Sequence, residues 1–323
     1  MEPDTFAPAD DDLHEPSDNF YETETYWYSF FVPERGLGAW LYTSVKTTVG
    51  ETAGGMWIWD TTATNPWELP FYQYFEHLKP PRTVAPGHLE FPTGMSVRAI
   101  EPGMVYEVGY DDRKRAKVAL RFEGVEPPVP LRSGAPPYPK ASHYDQTGRV
   151  TGTLELDGET VEIDCVAMRD RSWGPRYERG YTRVGYTWAG SDQLSFLTYT
   201  SPEGVSTESE HIHSGYVRRG AGEGAVTQIE GGTRTLERDA EHGWLTGITA
   251  ELVDEEGRKA TAVATAVSRM VLPAATSICI NTALRWTVTD ETGDTVELAG
   301  EDQDVWPIDD WRRFRAPRLK AQS

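Results

Sequence analysis

Apolar and polar positions alternate with a period of two along most of this chain, and Gly, Pro, Asn and Asp interrupt the alternation at short intervals. Runs of β-branched and aromatic residues bounded by turn residues predict strands. They include "ETYWYSFFV" (24–32), "GAWLYTSVKTTV" (38–49), "GGMWIWDTT" (54–62), "HLEFP" (88–92), "MSVRAIEP" (95–102), "MVYEVGY" (104–110) and "AKVALRFEGV" (116–125). "EPPVPLRSGAPPYPKASHYD" (126–145) then stacks prolines that cannot continue a ladder. The pattern restarts with about ten segments: 149–156, 159–168, 181–189, 193–200, 205–219, 225–238, 244–253, 258–271, 276–290 and 295–299. Helical periodicity is scarce. "WELPFYQYFEHL" (67–78) is the best candidate, and "WPIDDWRRF" (306–314) suits a short terminal helix docking two tryptophans.

This order predicts an all-β chain of two tandem antiparallel barrels with short helical segments. Residues 1–20 read as a loose acidic arm, 21–125 as the first barrel, 126–145 as a Pro-rich connector and 146–323 as the second barrel, whose terminal segment could pack back on the first. A hairpin followed by aromatic strands occurs in both halves, although no stretch is alike enough to count as a repeat.

Composition narrows the functional classes. Thirty-one Lys and Arg stand against 51 Asp and Glu, a formal charge of −20 that disfavours phosphate backbones and anionic lipid. No nucleic-acid partner and no membrane insertion are expected. The acidic start lacks an apolar stretch of the signal-peptide kind, and Cys165 and Cys279 read as reduced core thiols, so the expected location is the cytoplasm. No GxGxxG, GxxxxGK[ST] or GxSxG motif occurs. The expectation is therefore a protein without a cofactor, acting on or binding a small apolar molecule, as a monomer or homodimer.

Four stretches carry candidate chemistry. In "MRDRSWGPR" (168–176), Asp170 between Arg169 and Arg171 stays ionised if exposed, and becomes a proton donor if Trp173 and the barrel wall desolvate it. The bland alternative is a corner in which Asp170 accepts backbone N–H groups, Trp173 plugs a barrel end and Arg176 pairs with an acid. In "STESEHIHSGYV" (206–217), alternation puts Glu208, Glu210, Ile212 and Ser214 on one face and Ser209, His211, His213 and Gly215 on the other. The histidine pair could be solvent-exposed, could act in acid–base or polarising roles, or could hold a metal with His143 as a third ligand; the sequence shows no metal signature. Tyr199 of "LSFLTYT" (194–200) could offer a hydrogen bond to a ligand or sit in the core. "YWYSFF" (26–31) and "MWIWD" (56–60) concentrate aromatic rings, so that Tyr28, Trp57 and Trp59 either pack a core or line an apolar pocket.

The run from His143 to Arg176 resembles the hallmark of the carotenoid 1,2-hydratase (hydroxyneurosporene synthase) and AttH-like superfamily. That pattern is a Gly-Arg-x-x-Gly hairpin, an Asp-Gly turn and an Asp-His-(Ser/Asn)-Trp-Gly box. Gly148, Arg149, Gly152, Asp157, Gly158, Asp170, Ser172, Trp173 and Gly174 match it, and "EDQDVWP" (301–307) is similar to a closing strand of the group. The resemblance implies tandem lipocalin-like barrels with a cofactor-free site at their interface, handling isoprenoid or polyketide substrates by hydration or cyclisation. Two departures stand out. Arg171, which cannot serve as a base, replaces the box histidine. Tyr199 is followed two positions on by Ser201, where the hydratases carry the aspartate thought to protonate the alkene.

The leading expectation is thus a cofactor-independent hydratase, cyclase or isomerase acting on a terpenoid, steroid or polyketide-like molecule. Asp170, Tyr199, His211 and His213 are its candidate catalytic residues. Trp173, Arg176, Tyr28, Trp57, Trp59, His143 and Glu210 are its candidate substrate contacts. The rivals are a non-catalytic carrier of an apolar ligand and a purely structural double barrel with a partner protein.

Overall fold

The computed structural model describes residues 6–131, 143–177, 182–202, 205, 209–220, 225–274 and 276–321. Of the segments singled out above, residues 1–5 of the acidic arm, 132–142 of the Pro-rich connector and 206–208 of "STESEHIHSGYV", with Glu208, lie outside them. Nearly all regular structure is antiparallel strand, in two compact units. One unit draws on the described residues of 1–32, 38–58 and 70–177, the other on those of 33–37, 59–69 and 178–323.

The first unit holds β1 (Glu22–Val32), β2 (Leu37–Lys46), β3 (Glu51–Trp59), β4 (Phe71–Leu78), β5 (Arg82–Ala85), β6 (His88–Glu90), β7 (Met95–Glu101), β8 (Val105–Asp111), β9 (Ala116–Gly124), β10 (Val129–Pro130), β11 (His143–Leu156) and β12 (Glu159–Pro175). They form one sheet, ordered β4-β3-β2-β1-β12-β11-β9-β8-β7-β6-β5 with β10 beside β11, curled into a half-barrel. Tyr26 meets Phe91 and Tyr28 meets Phe122 across the curl. The β11–β12 hairpin turns at Asp157 and Gly158, whose φ values of +50° and +87° suit a two-residue primed turn. Gly152 has φ +143°, and a Cβ there would stand 2.1 Å from the Ala119 carbonyl oxygen. Only glycine lets β9 come that close.

Three readings of the sequence need correction. The hairpin 143–175, whose residues 146–175 were assigned above to the second barrel and 143–145 to the connector, lies in the first sheet, because β12 pairs with β1 and β11 with β9. Long-range pairing of this kind leaves no local mark on a sequence. The helical candidate 67–78 is a short 3-10 turn, Pro66–Glu68, followed by β4. Pro70 breaks any helix, and the alternating aromatics of Phe71–Phe75 fit a strand.

The acidic arm is also not loose where it is described. Asp11 is buried, accepts a hydrogen bond from the Tyr106 hydroxyl at 3.0 Å and lies 3.7 Å from Arg169. The Asp12 carbonyl accepts from Arg171 at 2.7 Å, and His14 stacks on Trp173 at 4.3 Å. Arg169 and Arg171 are 4% and 2% exposed. They remain charged at any accessible pH, so the fold must bring acids to them.

The second unit is a closed barrel of β13 (Val184–Gly190), β14 (Leu194–Thr200), β15 (Glu210–Arg219), β16 (Val226–Arg238), β17 (Leu245–Asp254), β18 (Lys259–Pro273), β19 (Ser277–Asp290) and β20 (Thr295–Pro307). Pairing of β13 with β20 closes it and removes the free edges. Phe196, Ile248, Leu284 and Trp286 fill part of its interior. Another part holds Arg183, Arg234 and Arg238 against Glu210, Asp302 and Asp304. Helix α1 (Ile308–Ala321) docks Trp311 and Phe314 against Trp306, as the terminal aromatics predict. No helix among the described residues is long and apolar enough to cross a membrane.

Glu24, 1% exposed, pairs with Arg171. Glu24→Ala strands that guanidinium and should cost about 3–5 kcal/mol in urea unfolding, with Glu24→Gln plus Arg171→Met recovering much of the loss.

Candidate functional site

Successive side chains of β12 point to opposite faces of the sheet. Arg169 lies over the Tyr106 ring and Arg171 over the Tyr26 ring, each at 4.1 Å, within the curl. Asp170 and Ser172 therefore take the other face. Register sets Asp170 opposite Trp27 on β1 and Asp145 on β11, and Ser172 opposite Thr25 and His143. The ladder thus assembles a polar group from three strands that are distant in sequence.

The His143 Nε2 and Asp145 Oδ2 atoms are 3.0 Å apart, and both residues are buried. The Thr25 and Ser172 hydroxyls are 2.6 Å apart, and Arg176 donates to Ser172 at 2.5 Å and to Thr25 at 3.3 Å. Beside them runs an aromatic row: Trp27 against Trp40 at 5.4 Å, Trp40 against Trp57 at 6.4 Å, and Trp57 stacked on Tyr74 at 5.7 Å. The Asp170 Oδ1 atom is shielded from solvent and has no hydrogen-bond partner among the described residues.

Electrostatics single out the same group. Burial pushes the Asp170 carboxyl up to about 6; His143 pulls it back, Asp145 pushes it up further, and Arg176 and Arg171 oppose. Burial alone would lower His143, but the Asp145 charge and hydrogen bond outweigh it and hold the imidazole above its usual value. The result is a cluster that holds protons: an imidazole that keeps its proton to higher pH than usual, beside a carboxyl that is readily protonated. His143, Asp145 and Asp170 also offer ligand atoms within 4.8 Å of one another. A dication there would have to displace the imidazole proton and share the space with Arg176, so protons fit this donor set better than a metal.

Of the residues singled out from the sequence, Asp170, His143, Arg176 and Trp57 meet on this face. Trp59 closes the same strand as Trp57 and is fully buried. Tyr28 and Trp173 lie on the opposite face, Tyr28 against Phe122 and Trp173 against His14 and Tyr144. Arg171, at the position of the box histidine, also faces away from Asp170.

The remaining candidates belong to the second unit. Tyr199 packs on Tyr186 at 5.2 Å. His211 is exposed. His213 lies 3.1 Å from the Ser201 hydroxyl and 3.0 Å from that of Ser214, with burial and His211 lowering its pKa. Glu210 is locked between Arg183 and Arg234. Asp145, Trp27 and Tyr42, whose ring lies 6.3 Å from that of Trp57, were not among the candidate site residues read from the sequence. The spacing His143–Asp145 would have shown one shared face, but nothing local tells that Asp170 joins it. An open cavity of about 460 Å³ at Gln73, Phe75, Lys79, Phe91 and Arg113 does not include this cluster. Arg82 and Glu90, which line that cavity, pair with each other.

A family model described as "Domain of unknown function (DUF7064)" matches residues 7–293. No curated protein sequence matches the chain significantly. An AttH-type protein of Nitrosomonas europaea has a similar structure, with TM-score 0.63 and 12% identity over 94% of this chain and 97% of that one. CghA crystallised with Sch210972 aligns with TM-score 0.54 and 11% identity over 89% and 88%. Kievitone hydratase from Nectria haematococca aligns with TM-score 0.55 and 8% identity over 89% of each chain. At these identities the likeness establishes the fold alone, that of tandem lipocalin-like barrels.

The raised carboxyl has a consequence for stability. The folded state binds the Asp170 proton more tightly than the unfolded chain, so the contribution is complete below the ordinary carboxylate range and lost as pH rises through about 6. Relative to Asp170→Asn, the wild type should lose up to about 3 kcal/mol of unfolding free energy between about pH 4 and 7. Parallel stability–pH curves for the two proteins would show that Asp170 titrates normally.

Proposed function

We propose, for a chain that belongs to the family described as Domain of unknown function (DUF7064), a hydratase- or isomerase-type activity needing no cofactor, in which Asp170 protonates a carbon–carbon double bond of an apolar substrate. The observation carrying this reading is the buried Asp170 Oδ1, unpartnered among the described residues, on a carboxyl whose pKa stands at about 6. Such a group is part protonated near neutrality and can both release and recover a proton. The hydrogen-bonded pair of His143 and Asp145 keeps the surroundings polar and fixed, so little reorganisation is needed when charge develops. Trp27, Trp40 and Trp57 present aromatic faces, which favour positive charge forming on a substrate carbon.

In hydration, the Asp170 O–H bond breaks as a C–H bond forms, and a water oxygen bonds to the other alkene carbon. The surplus water proton then returns to Asp170. In isomerisation the returning proton leaves a substrate carbon instead. Neither route consumes a redox equivalent. One structural relative is a kievitone hydratase, which supports hydration, and the likeness of residues 143–176 to the carotenoid hydratases supports a terpenoid, steroid or polyketide-like substrate.

The test is isotopic. The protein is incubated with an apolar extract of its host in H₂¹⁸O or in D₂O, and products are read by mass spectrometry. Uptake of ¹⁸O reports hydration, and deuterium without ¹⁸O reports isomerisation. Asp170→Asn should slow label uptake at least about 100-fold. Wild-type uptake by a folded Asp170→Asn protein removes Asp170 from the chemistry. A co-purifying apolar ligand with no label uptake by the wild type favours a carrier instead.

A further inference from the structure

In the barrel of the second unit, β14 and β15 fall out of step at one place. Tyr199 stands opposite Ser214, but Thr200 stands opposite Ile212, so His213 is an extra residue, a β-bulge. Bulges recur beside functional sites, where they re-aim a side chain. Alternation alone would put Ser214 on the face opposite to His213. Instead Ile212 packs in the core, while the His213 Nδ1 atom lies 3.0 Å from the Ser214 hydroxyl, so both side chains turn to the outer face. Thr200 donates to the buried Glu210 at 2.9 Å and so points inward. Ser201, one residue on, points outward with them.

The bulge places the imidazole between two hydroxyls, with the Ser201 Oγ atom 3.1 Å from His213 Nε2 and the Ser214 Oγ atom on the other ring nitrogen. Ser201 and His213 are half-buried, within reach of molecules from solvent, and Ser214 behind them is buried. There is room beside the ring. β15 pairs with β16 at Glu210 and His211 and again from Tyr216, and counting from the His211–Thr233 pair sets Gly231 across from His213. Gly231 is itself half-buried, and a Cβ added there would meet no atom within 4 Å. The missing side chain leaves a niche next to the imidazole. Burial and the neighbouring His211 charge lower the His213 pKa, and the exposed Glu230 on the facing strand does not offset them. The ring is therefore neutral near neutral pH, the form that accepts a proton.

We propose that Ser201 is a nucleophile activated by His213, taking the acyl group of a small ester or thioester, with Ser214 as the residue that positions the imidazole. A hydroxyl on a base whose far side is held by a third group is the arrangement by which serine becomes reactive. Ser214 accepts from the Nδ1–H, which leaves Nε2 free to take the Ser201 proton. As Oγ bonds to the carbonyl carbon, its proton passes to Nε2. The bond from that carbon to the leaving oxygen or sulfur then breaks, and Nε2 returns the proton to the leaving group. Water repeats the sequence on the acyl-serine and releases the acid, so ester and water become acid and alcohol with nothing oxidised or reduced. The niche spans one missing side chain, and the acyl group it takes is correspondingly short. The inference goes beyond the Asp170 reading and does not rest on it, since the two groups belong to different units.

The experiment incubates the full chain with p-nitrophenyl acetate, whose leaving group departs without acid assistance, so that the nucleophile and its base are read alone. Nitrophenolate release is followed by absorbance and the acetylated residue is located by peptide mass mapping. Ser201 should be acetylated at least about 10-fold faster than any other serine or threonine. His213→Gln should slow that step about 100-fold. Ser201→Ala should remove the label and Ser201→Cys should keep it. Ser214→Ala should slow acetylation and Ser214→Thr should restore it, which a purely structural serine would not do. The wild-type rate should rise with pH only until His213 is neutral, levelling off below about pH 6.5, a readout that needs no variant to fold. Labelling of Ser201 no faster than that of other serines, an unchanged rate in folded His213→Gln, or a wild-type rate that climbs steadily into alkaline pH would each overturn the assignment.

Discussion

A guanidinium cannot shed its proton on burial, and much of this structure follows from that fact. Arg169, Arg171, Arg183 and Arg234 are all almost fully buried. Each must therefore be met by carboxylates or carbonyl oxygens delivered from elsewhere in the chain. In the first unit the answer is the N-terminal segment, which contributes Asp11 and the Asp12 carbonyl, with Glu24 of β1 completing the set. In the barrel it is the ring of Glu210, Asp302 and Asp304. A stretch that composition marks as a solvated tail thereby becomes part of a core.

The same constraint defines the site. Arg169 and Arg171 are gripped from one face of β12, which fixes its register between β1 and β11. Asp170, pointing the other way, is then held beside Asp145 and His143 by the ladder itself. The cation that acts on it most strongly, His143, is shared with Asp145, so burial is not fully compensated and the carboxyl stays easy to protonate. One strand carries permanent, satisfied charge on one face and a labile proton on the other.

The barrel meets the same demand from within. Arg183, Arg234 and Arg238 stand against Glu210, Asp302 and Asp304, three cations to three acids, and apolar residues fill what remains of the interior. Charge is balanced there although single N–H and oxygen atoms on both faces of the sheet have no hydrogen-bond partner among the described residues.

Period-two alternation and turn residues alone determined the all-β class, most strand limits, the Asp157–Gly158 hairpin and the terminal helix, because these depend on side chains within a few residues of one another. The box around Asp170 was visible as an oddity for the same reason, three charges and an indole in six residues. Which barrel the hairpin joins, which way Arg171 and Trp173 face, and that His143 and Asp145 flank Asp170 were decided only by pairing between strands far apart in sequence. Glu210 and His211 make the point most simply. Both looked like candidate site residues in one short strand, yet one is locked among buried arginines and the other lies in solvent. A period of two separates the faces of a strand, but only the closed sheet says which face is inside.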